Sequence, residues 1–319
     1  MDVYDLASER LSGLAITQAW PEMQAVLKRV IAKKDRHWRI PVVVCEAVGG
    51  SPEQAIPALA ALACLHTSIL LIDDMLDADP RGEYHRLGAP AVANLAAALQ
   101  AVSLEVLAQS EAPQPTRLAS LQSLNRAALI IAGGQQLDTQ NPADEIAYWQ
   151  VVKMKSSPFF GAAVHVGALL GGASVEIAEA LRQWGNLYGE MIQIHDDLND
   201  AMAVPANPDW TLGRTSLPIL FAQNVEYPAR EQFLELRRQL QSGPDSEVLT
   251  EAQTILLRCG AVSYSIEELF SRHRTAQEWI NDLRVPQRAG LELLLEDLIE
   301  PVNKLFATLS QPEYSLISE

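Results

Sequence analysis

At 319 residues, with 48% hydrophobic and 20% charged residues, the chain has the composition of an ordinary globular protein with a generous core. Its formal net charge of −16 argues against binding to nucleic acid or to anionic membrane surfaces, unless its basic residues cluster. Aromatic residues make up only 6% of the chain while Ala and Leu abound, and this composition favours helices over sheets.

The first predicted elements are two apolar helical segments. Residues 16–31 place apolar side chains at three- and four-residue spacing, as an amphipathic helix requires. Residues 41–48 are very apolar and stop at Gly49 and Gly50, which are good helix terminators. The run VVVC in this segment also suits a short strand, but the sequence offers no second alternating run to pair with it.

A long central helix follows. Ser51 is the predicted N-cap, Pro52 takes the first helical position, and Gln54 stands where a capping box needs it. The helix continues through AIPALAALACLHTSILLIDDMLD and is apolar on most faces, which indicates a buried position. Further helices are predicted at about 89–110, 114–140, 144–170, 174–202, 215–223, 227–241, 245–258, 260–282 and 287–310. Repeats and long linkers are absent from the sequence, so we expect one helical domain over residues 1–319.

The sequence also predicts a cellular setting. The three cysteines, Cys45, Cys64 and Cys259, are widely spaced among apolar residues, so we expect buried free thiols in a reducing cytoplasm. The N-terminus lacks the basic and apolar regions of a signal peptide. The longest apolar runs are broken well short of membrane-spanning length, so we expect a soluble protein without an integral membrane segment.

Two aspartate clusters, DDMLD at 73–77 and DDLND at 196–200, are the main candidate functional residues of the sequence. In a helix, Asp73 and Asp77 share one face, and Asp74 lies at the rim of that face. The second cluster repeats this geometry with Asp196, Asp197 and Asp200.

Like charges at this spacing repel, so a compensating partner is expected. For one cluster, a solvated helix end is a sufficient explanation. Both clusters, however, directly follow apolar stretches, SILLI and EMIQI, where solvation is least available. Mg²⁺ prefers carboxylate and water oxygens and bridges carboxylates to phosphates, so the pair of clusters indicates a magnesium-dependent diphosphate site. Such a site suits ionisation of an allylic diphosphate, because cations stabilise the charge that builds on the leaving group.

The motifs resemble those of the all-trans isoprenyl diphosphate synthase, or polyprenyl synthetase, family over roughly residues 30–280. LHTSILLIDDMLD resembles the first aspartate-rich motif of that family, and GEMIQIHDDLND resembles the second. GQQLD at 134–138, KSSPFF at 155–160 and TLGRTSLPIL at 211–220 resemble the segments that accompany them. The resemblance implies an all-α, single-domain bundle of about a dozen helices around a deep apolar pocket, the isoprenoid synthase fold, usually as a homodimer.

The resemblance also implies an activity, a trans-prenyltransferase reaction. An allylic prenyl diphosphate ionises, isopentenyl diphosphate attacks it, and a proton is lost to give a longer all-trans prenyl diphosphate. Mg²⁺ ligands or their supports are expected at Asp73, Asp74, Asp77, Asp196, Asp197 and Asp200. The predicted catalytic residues are Asp73, Asp74, Asp77, Asp196, Asp197 and Lys155. Contacts to the substrates are expected from Lys33, Arg36, His66, Ser68, Arg81, Gln193 and Arg214.

Two of these substrate contacts lie on the long central helix. His66, two turns before Asp73 on the same face, matches the family's contact to isopentenyl diphosphate, although by itself it suits a satisfied core histidine. Ser68, five residues before Asp73, stands where the family often places a bulky aromatic that stops short products. A small residue at that position implies geranylgeranyl diphosphate or a somewhat longer product.

The chain departs from the family pattern at the second, metal-free diphosphate site. The usual Gly-Gly-Lys-Arg-x-Arg-Pro segment reads AKKDRHWRIP here. Lys33 and Arg36 keep a Lys-x-x-Arg spacing and are the predicted contacts, but Lys34 with His37, or Arg36 with Arg39, could serve instead.

The two loops after the aspartate motifs also depart from the family pattern. The first holds Arg81 where paired arginines are usual, with Arg86 as a spatial substitute. The lysine that usually follows the second motif is missing, which leaves Arg214 as the nearest basic position.

These departures leave three hypotheses. The favoured hypothesis is that the basic motifs have drifted and that nearby basic residues compensate for them. The enzyme would then still elongate prenyl chains. The second is loss of the second diphosphate site, giving an enzyme that ionises a single prenyl diphosphate as a terpene cyclase does. The third is a regulatory subunit of a heteromeric synthase, against which the completeness of both aspartate clusters argues. Product length, pathway and homomeric or heteromeric assembly are left open by the sequence.

Overall fold

The computed structural model describes the backbone of residues 2–309 and the side chains of residues 2–302. Within residues 2–309 it contains seventeen α-helices and one short 3-10 helix, and no β-strand. The first eight are α1 (Val3–Ser12), α2 (Ala15–Gln18), α3 (Pro21–Ile31), α4 (Ile40–Ala47), α5 (Pro52–Leu76), α6 (Tyr84–Leu87), α7 (Ala89–Ala108) and α8 (Gln114–Asp138), with the 3-10 helix Arg36–Arg39 before α4. The others are α9 (Glu145–Lys155), α10 (Ser157–Leu170), α11 (Val175–Met202), α12 (Pro208–Leu212), α13 (Leu217–Asn224), α14 (Arg230–Ser242), α15 (Ser246–Arg258), α16 (Ala261–Asp282) and α17 (Ala289–Leu309).

The all-α prediction is confirmed, and the helix boundaries differ from the predicted ones mainly at prolines. The segment 16–31 is two helices, because Pro21 begins α3 and disfavours a helical conformation in the residue before it. The segment 144–170 is also two helices, which meet at Ser156 just before Pro158. Helices α1, α6 and α12 and the 3-10 helix were not predicted, and residue 310, the predicted end of the last helix, lies outside the described residues.

The chain forms two compact units, each built from separate segments. Unit 1 takes its described residues from Met1–Pro142, Trp149–Gly189 and Leu283–Gly290. Unit 2 takes its described residues from Ala143–Tyr148, Glu190–Asp282 and Leu291–Glu319. The organisation of residues 1–319 as one domain stays a prediction.

Helix α5 is the centre of unit 1, where it packs against α1, α4, α7 and α10. Its start follows the predicted local chemistry. Gly49 adopts a φ of +97° after α4, a conformation that favours glycine, and so ends that helix. The backbone N–H of Ser51 then donates to Oε1 of Gln54 at 2.7 Å, which completes one half of the predicted capping box.

Two helices of unit 1, α5 and α7, are long and apolar enough to cross a membrane by length and composition. The sequence argument that the apolar runs are too short was therefore wrong for these helices. In unit 1, 78% of the most apolar 18-residue window of α5 is buried, and 44% of the corresponding window of α7. A buried core helix meets the same criteria as a membrane span, so the absence of an integral membrane segment stays a prediction.

Unit 2 has a separate apolar core. Helix α14 packs against α12 and α15, and α13 packs against α16. Trp210 and Phe233 lie at the centre, with their rings 6.4 Å apart in an edge-to-face arrangement.

The three cysteines are free thiols, as predicted. Cys45 and Cys64 are buried, and burial raises their thiol pKa values to about 11 and about 12. Cys259 is only half-buried, so the expectation of burial is wrong for that residue.

Candidate active site

Lys155 is the last residue of α9 and lies between two carboxylates of unit 1. Its Nζ donates to Oδ1 of Asp73 at 3.0 Å and to Oδ2 of Asp138 at 2.5 Å. Burial alone lowers the pKa of Lys155, but the two carboxylates outweigh burial and the net effect is a raised pKa. Lys155 is therefore a fixed cation at the end of α5, and its contact with a diphosphate stays a prediction.

Asp138 also belongs to a cluster of three carboxylates. One oxygen from each of Asp73, Asp77 and Asp138 lies within 4.8 Å of the other two. Asp74 is at the side of this cluster, and its pKa is raised by burial and then by the neighbouring charges of Asp79 and Asp73. Three hard oxygen donors so close together fit a Mg²⁺ ion, which binds one or two carboxylates and keeps its other positions for water and phosphate.

The position of Lys155 depends on close packing between α8 and the end of α9. A Cβ atom on Gly134 would lie 2.4 Å from the backbone N of Lys155 and 2.4 Å from the backbone C of Met154. Glycine is therefore required where α8 passes the residue that supplies the cation. This close approach brings Asp138, one turn further along α8, to the ammonium group.

In unit 2, Asp197 is the buried centre of a hydrogen-bond network on α11. Its Oδ2 accepts from the hydroxyl of Tyr148 at 2.8 Å and from the backbone N–H of Leu217 at 2.6 Å, and its Oδ1 accepts from Nε2 of Gln193 at 2.8 Å. Burial raises the pKa of Asp197 to about 6, and the three hydrogen bonds oppose that rise. Oδ2 of Asp197 thus joins α11 to α9 and to the start of α13, while Oδ1 is bound by Gln193 of α11 itself, and a role as a Mg²⁺ ligand stays a prediction.

The other two aspartates of the second cluster have different surroundings. Asp196 is exposed, whereas Asp200 is half-buried and its Oδ1 accepts from Nδ2 of Asn207 at 2.5 Å. The predicted diphosphate contact Gln193 lies one turn before Asp197 and donates to it. Their predicted roles with Mg²⁺ and substrate stay predictions.

The loop that carries Arg214 is held in place by a buried arginine of α14. One terminal nitrogen of Arg237 donates to the carbonyl oxygens of Gly213 at 2.7 Å and Arg214 at 3.0 Å, and to the hydroxyl of Thr215 at 3.0 Å. Burial lowers the pKa of Arg237 to about 10. Since Leu217 is fixed to Asp197 at the other end, residues 213–217 are tethered at both ends.

The predicted second-diphosphate residues Lys33 and Arg36 are exposed, and Nε of Arg36 donates to Nε2 of His37 at 3.4 Å. Among the alternatives, Lys34 forms an ion pair with Asp2 at 2.6 Å, and Arg39 is exposed. Burial lowers the pKa of His37 to about 4, so His37 is neutral at physiological pH. Of the three proposed pairs, the one of Lys34 with His37 thus combines an ion-paired lysine with a neutral histidine.

The arginines after the first motif are paired with carboxylates. Arg81 forms a two-pronged ion pair with Asp79 at 2.7 and 3.0 Å, with most of its own side chain exposed. Arg86 donates through Nε to Glu83 at 2.8 Å, and Arg29 binds the same carboxylate at 2.8 Å. A diphosphate that binds Arg81 or Arg86 would compete with these partners.

The two predicted contacts on α5 are placed differently. His66 is half-buried, and its Nδ1 accepts a hydrogen bond from Nε1 of Trp38 at 3.0 Å. Ser68 is buried, and its hydroxyl donates to the carbonyl oxygen of Ala96 on α7 at 2.8 Å. Ser68 thus lies where α5 and α7 pack together.

Comparison with known proteins identifies the family. The profile described as Polyprenyl synthetase matches residues 21–256, which is most of the chain. The chain belongs to the polyprenyl synthetase family. It is therefore a trans-prenyltransferase of the polyprenyl diphosphate synthase type, and it elongates prenyl diphosphates.

Two curated relatives are similar to this chain in sequence, and a solved structure is similar to it in fold. Geranylgeranyl diphosphate synthase of Methanosarcina mazei is 34% identical over 186 residues, which cover 54% of this chain and 55% of that protein. Short chain isoprenyl diphosphate synthase of Methanothermobacter thermautotrophicus is 29% identical over 272 residues, covering 80% of this chain and 82% of that protein. The crystal structure of geranylgeranyl pyrophosphate synthetase from Pyrococcus horikoshii matches with a TM-score of 0.80 at 22% identity, over 93% of this chain and 94% of that chain. The isoprenoid synthase fold predicted from the motifs is thus confirmed.

Three residues that contact predicted site residues or their loops were not predicted: Asp138 in unit 1, and Tyr148 and Arg237 in unit 2. Asp138 ends the GQQLD motif, so its sequence signal was present, but its proximity to Asp73 is a tertiary fact. Tyr148 and Arg237 belong to no recognisable motif, and their roles follow only from the buried atoms that they contact.

Proposed function

We propose that this polyprenyl synthetase uses Mg²⁺ to condense an allylic prenyl diphosphate with isopentenyl diphosphate, giving an all-trans product of geranylgeranyl length or longer. The observation that carries the proposal is the group of Lys155, Asp73, Asp77 and Asp138 at the end of α5. It combines a fixed cation with three clustered carboxylates, which is the set of groups that a diphosphate and its metal ions require.

Lys155 has a direct role in this reaction. When the allylic carbon–oxygen bond breaks, its electron pair leaves with the diphosphate, and the ammonium group of Lys155 stabilises that added charge. The raised pKa keeps Lys155 protonated throughout. Mg²⁺ held by Asp73, Asp77 and Asp138 would supply further electrostatic stabilisation of the leaving group.

The second substrate is assigned to the His66 region. The alkene of isopentenyl diphosphate forms the new bond to the allylic carbon, and a proton is then lost to the released diphosphate. Lys33, Arg36, Arg81 and Arg214 stay the predicted cationic contacts for its diphosphate, and Gln193 a predicted contact for the allylic one. Arg81 and Arg86 already donate to Asp79 and Glu83, so a diphosphate that uses the same N–H groups would displace those carboxylates.

Product length is inferred from Ser68 and from the relatives. Ser68 is small and buried between α5 and α7, so it does not block a growing chain as a bulky aromatic at that position would. The relative from Methanosarcina mazei is a geranylgeranyl diphosphate synthase. Both observations support a product of geranylgeranyl length or longer.

The deciding experiment incubates the protein with Mg²⁺ and dimethylallyl, geranyl or farnesyl diphosphate, each with and without isopentenyl diphosphate. Mass spectrometry of the products should show longer diphosphates only when isopentenyl diphosphate is present. Hydrocarbons or alcohols formed from the allylic substrate alone would instead indicate a cyclase. Inactivity that a partner chain restores would indicate a regulatory subunit.

We also propose that the protein is a homodimer in the cytoplasm, as the family resemblance implies. Light scattering on the purified protein should give twice the mass of 34.9 kDa. A monomeric mass across the concentration range of the activity assay would contradict the dimer.

A further inference from the structure

One ring nitrogen of His66 accepts a hydrogen bond, and this hydrogen bond determines which ring nitrogen carries the proton. The indole of Trp38 is 2% exposed, and its Nε1–H points to Nδ1 of His66 at 3.0 Å. The two rings are nearly perpendicular, with an interplanar angle of 83° and centroids 6.2 Å apart. Both residues belong to unit 1, with Trp38 in the 3-10 helix and His66 in α5.

An indole nitrogen can only donate a hydrogen bond, so Nδ1 of His66 must present its lone pair. The proton of a neutral imidazole then resides on Nε2. Burial lowers the pKa of His66, which favours the neutral ring, while the carboxylate of Asp35 opposes that effect. Oδ2 of Asp35 is 3.8 Å from Nδ1, too far for a hydrogen bond that would draw a proton onto that nitrogen.

The other nitrogen, Nε2, remains available to a ligand. Among the residues that the structure describes, no hydrogen bond involves Nε2 of His66, although its side chain keeps 21% of its surface exposed. The ring of Phe159 lies over the imidazole at 4.9 Å between centroids, with a tilt of 33°. The histidine is thus held by two aromatic neighbours and offers one N–H group.

We propose that Trp38 is a positioning residue whose indole N–H holds His66 in the Nε2–H form, so that His66 binds the second substrate's diphosphate as a neutral hydrogen-bond donor and not as a cation. This inference rests on the proposed function, which places isopentenyl diphosphate at His66. It goes further because it assigns a role to a tryptophan that lies within the degraded AKKDRHWRIP segment. Trp38, a neutral residue of this segment, thereby contributes to diphosphate binding through His66 of α5.

The variant Trp38→Phe removes the N–H and keeps most of the ring. The matched control is Trp210→Phe, because the buried Nε1 of Trp210 has no hydrogen-bond partner among the described residues. Both substitutions remove a buried indole N–H, but only the first affects a histidine. Thermal melts of both variants establish that they are folded.

The primary readout is nitrogen-15 NMR of the histidine rings, with His66 assigned from the spectrum of His66→Gln and the pH set well above the ordinary histidine pKa. The unaltered protein should show His66 with its proton on Nε2, and Trp38→Phe should shift the population towards Nδ1–H. Trp210→Phe should leave the His66 signals unchanged. A proton on Nδ1 in the unaltered protein, or identical His66 signals with and without the indole N–H, would overturn the proposal.

Kinetics gives the second readout. Trp38→Phe should raise the KM for isopentenyl diphosphate by about two- to tenfold, the cost of one neutral hydrogen bond, while the KM for the allylic diphosphate stays unchanged. An equal rise in both KM values would indicate a general structural role and contradict the proposal. The NMR result does not depend on turnover, so a protein that fails to use isopentenyl diphosphate would refute the proposed function while the tautomer of His66 is still decided.

Discussion

Asp138 shows at the scale of one residue how a motif acquires its role. It shares the ammonium group of Lys155 with Asp73 and also completes the three-carboxylate cluster. Neither relation is visible in the sequence, where Asp138 is 65 positions from Asp73 and 17 positions from Lys155. A charge-neutral substitution at this residue therefore tests the geometry of the whole cluster.

The variant Asp138→Asn should lower kcat/KM by about 10- to 100-fold and raise the Mg²⁺ concentration needed for half-maximal activity, because the proposed metal site loses one of its three carboxylates. Steady-state assays over a Mg²⁺ titration measure both effects. Asp282→Asn, at an exposed residue at the end of α16, is the control for a change of one surface charge. An unchanged Mg²⁺ requirement in Asp138→Asn would remove Asp138 from the metal site.

Tyr148 is the second residue whose role depends on one buried atom. Its hydroxyl satisfies Oδ2 of the fully buried Asp197. Tyr148→Phe should lower the free energy of unfolding by about 1.5–3 kcal/mol, because a hydrogen bond to a charged group typically contributes that much to stability. Urea denaturation above pH 7 measures the loss.

A double-mutant cycle isolates this contact. Once Asp197→Asn has removed the charged acceptor, the further change Tyr148→Phe should cost clearly less than it does alone. Purely additive losses would show that Tyr148 acts through packing and not through its hydroxyl.

At the scale of elements, the crossing of α8 and α9 positions the cation. Gly134→Ala should destabilise the protein by about 1–3 kcal/mol, because the new Cβ would overlap the backbone of Met154 and Lys155. It should also reduce kcat, since relief of that overlap moves Lys155 away from Asp73 and Asp138.

The neighbouring Gly133 is a close control for this prediction. A Cβ there would meet only the mobile end of the Met154 side chain, at 3.3 Å. Gly133→Ala should therefore be neutral or stabilise the helix by up to about 1 kcal/mol, since alanine is the better helix former. Similar melting temperatures and kcat values for the two variants would show that the close crossing is not what positions Lys155.

At the scale of the whole molecule, a chain with a net charge of −16 has to bind anionic substrates. Several of its described basic side chains near the first motif are already paired with acids, including Arg29, Arg81 and Arg86. Besides Lys155, divalent cations would add positive charge to the local field, and we expect their binding to contribute to stability as well as to catalysis.

This expectation gives a thermal prediction. Because Mg²⁺ would bind the folded carboxylate cluster and not the unfolded chain, the melting temperature should rise with the logarithm of the Mg²⁺ concentration, and chelation should reverse the rise. The stabilisation corresponds to about 2.7 kcal/mol when Mg²⁺ is at 100 times its Kd. The double variant Asp73→Asn, Asp77→Asn should lose the response at constant ionic strength. An equal response in that variant would place the stabilising ion elsewhere.

The sequence by itself determined the helical class, the capping of α5 by Ser51 and Gln54, and the family, because these follow from local spacing and from short motifs. It also indicated Lys155 and the first aspartate cluster as parts of one predicted diphosphate site. Tertiary structure alone decided that Asp138 joins that cluster, that Oδ2 of Asp197 accepts hydrogen bonds from Tyr148 and Leu217, and that Trp38 donates to His66. The physical reason is the sequence distance between the residues that interact. Caps and helix faces are set by residues within a few positions, whereas a buried carboxylate or imidazole takes its role from donors far away in the chain.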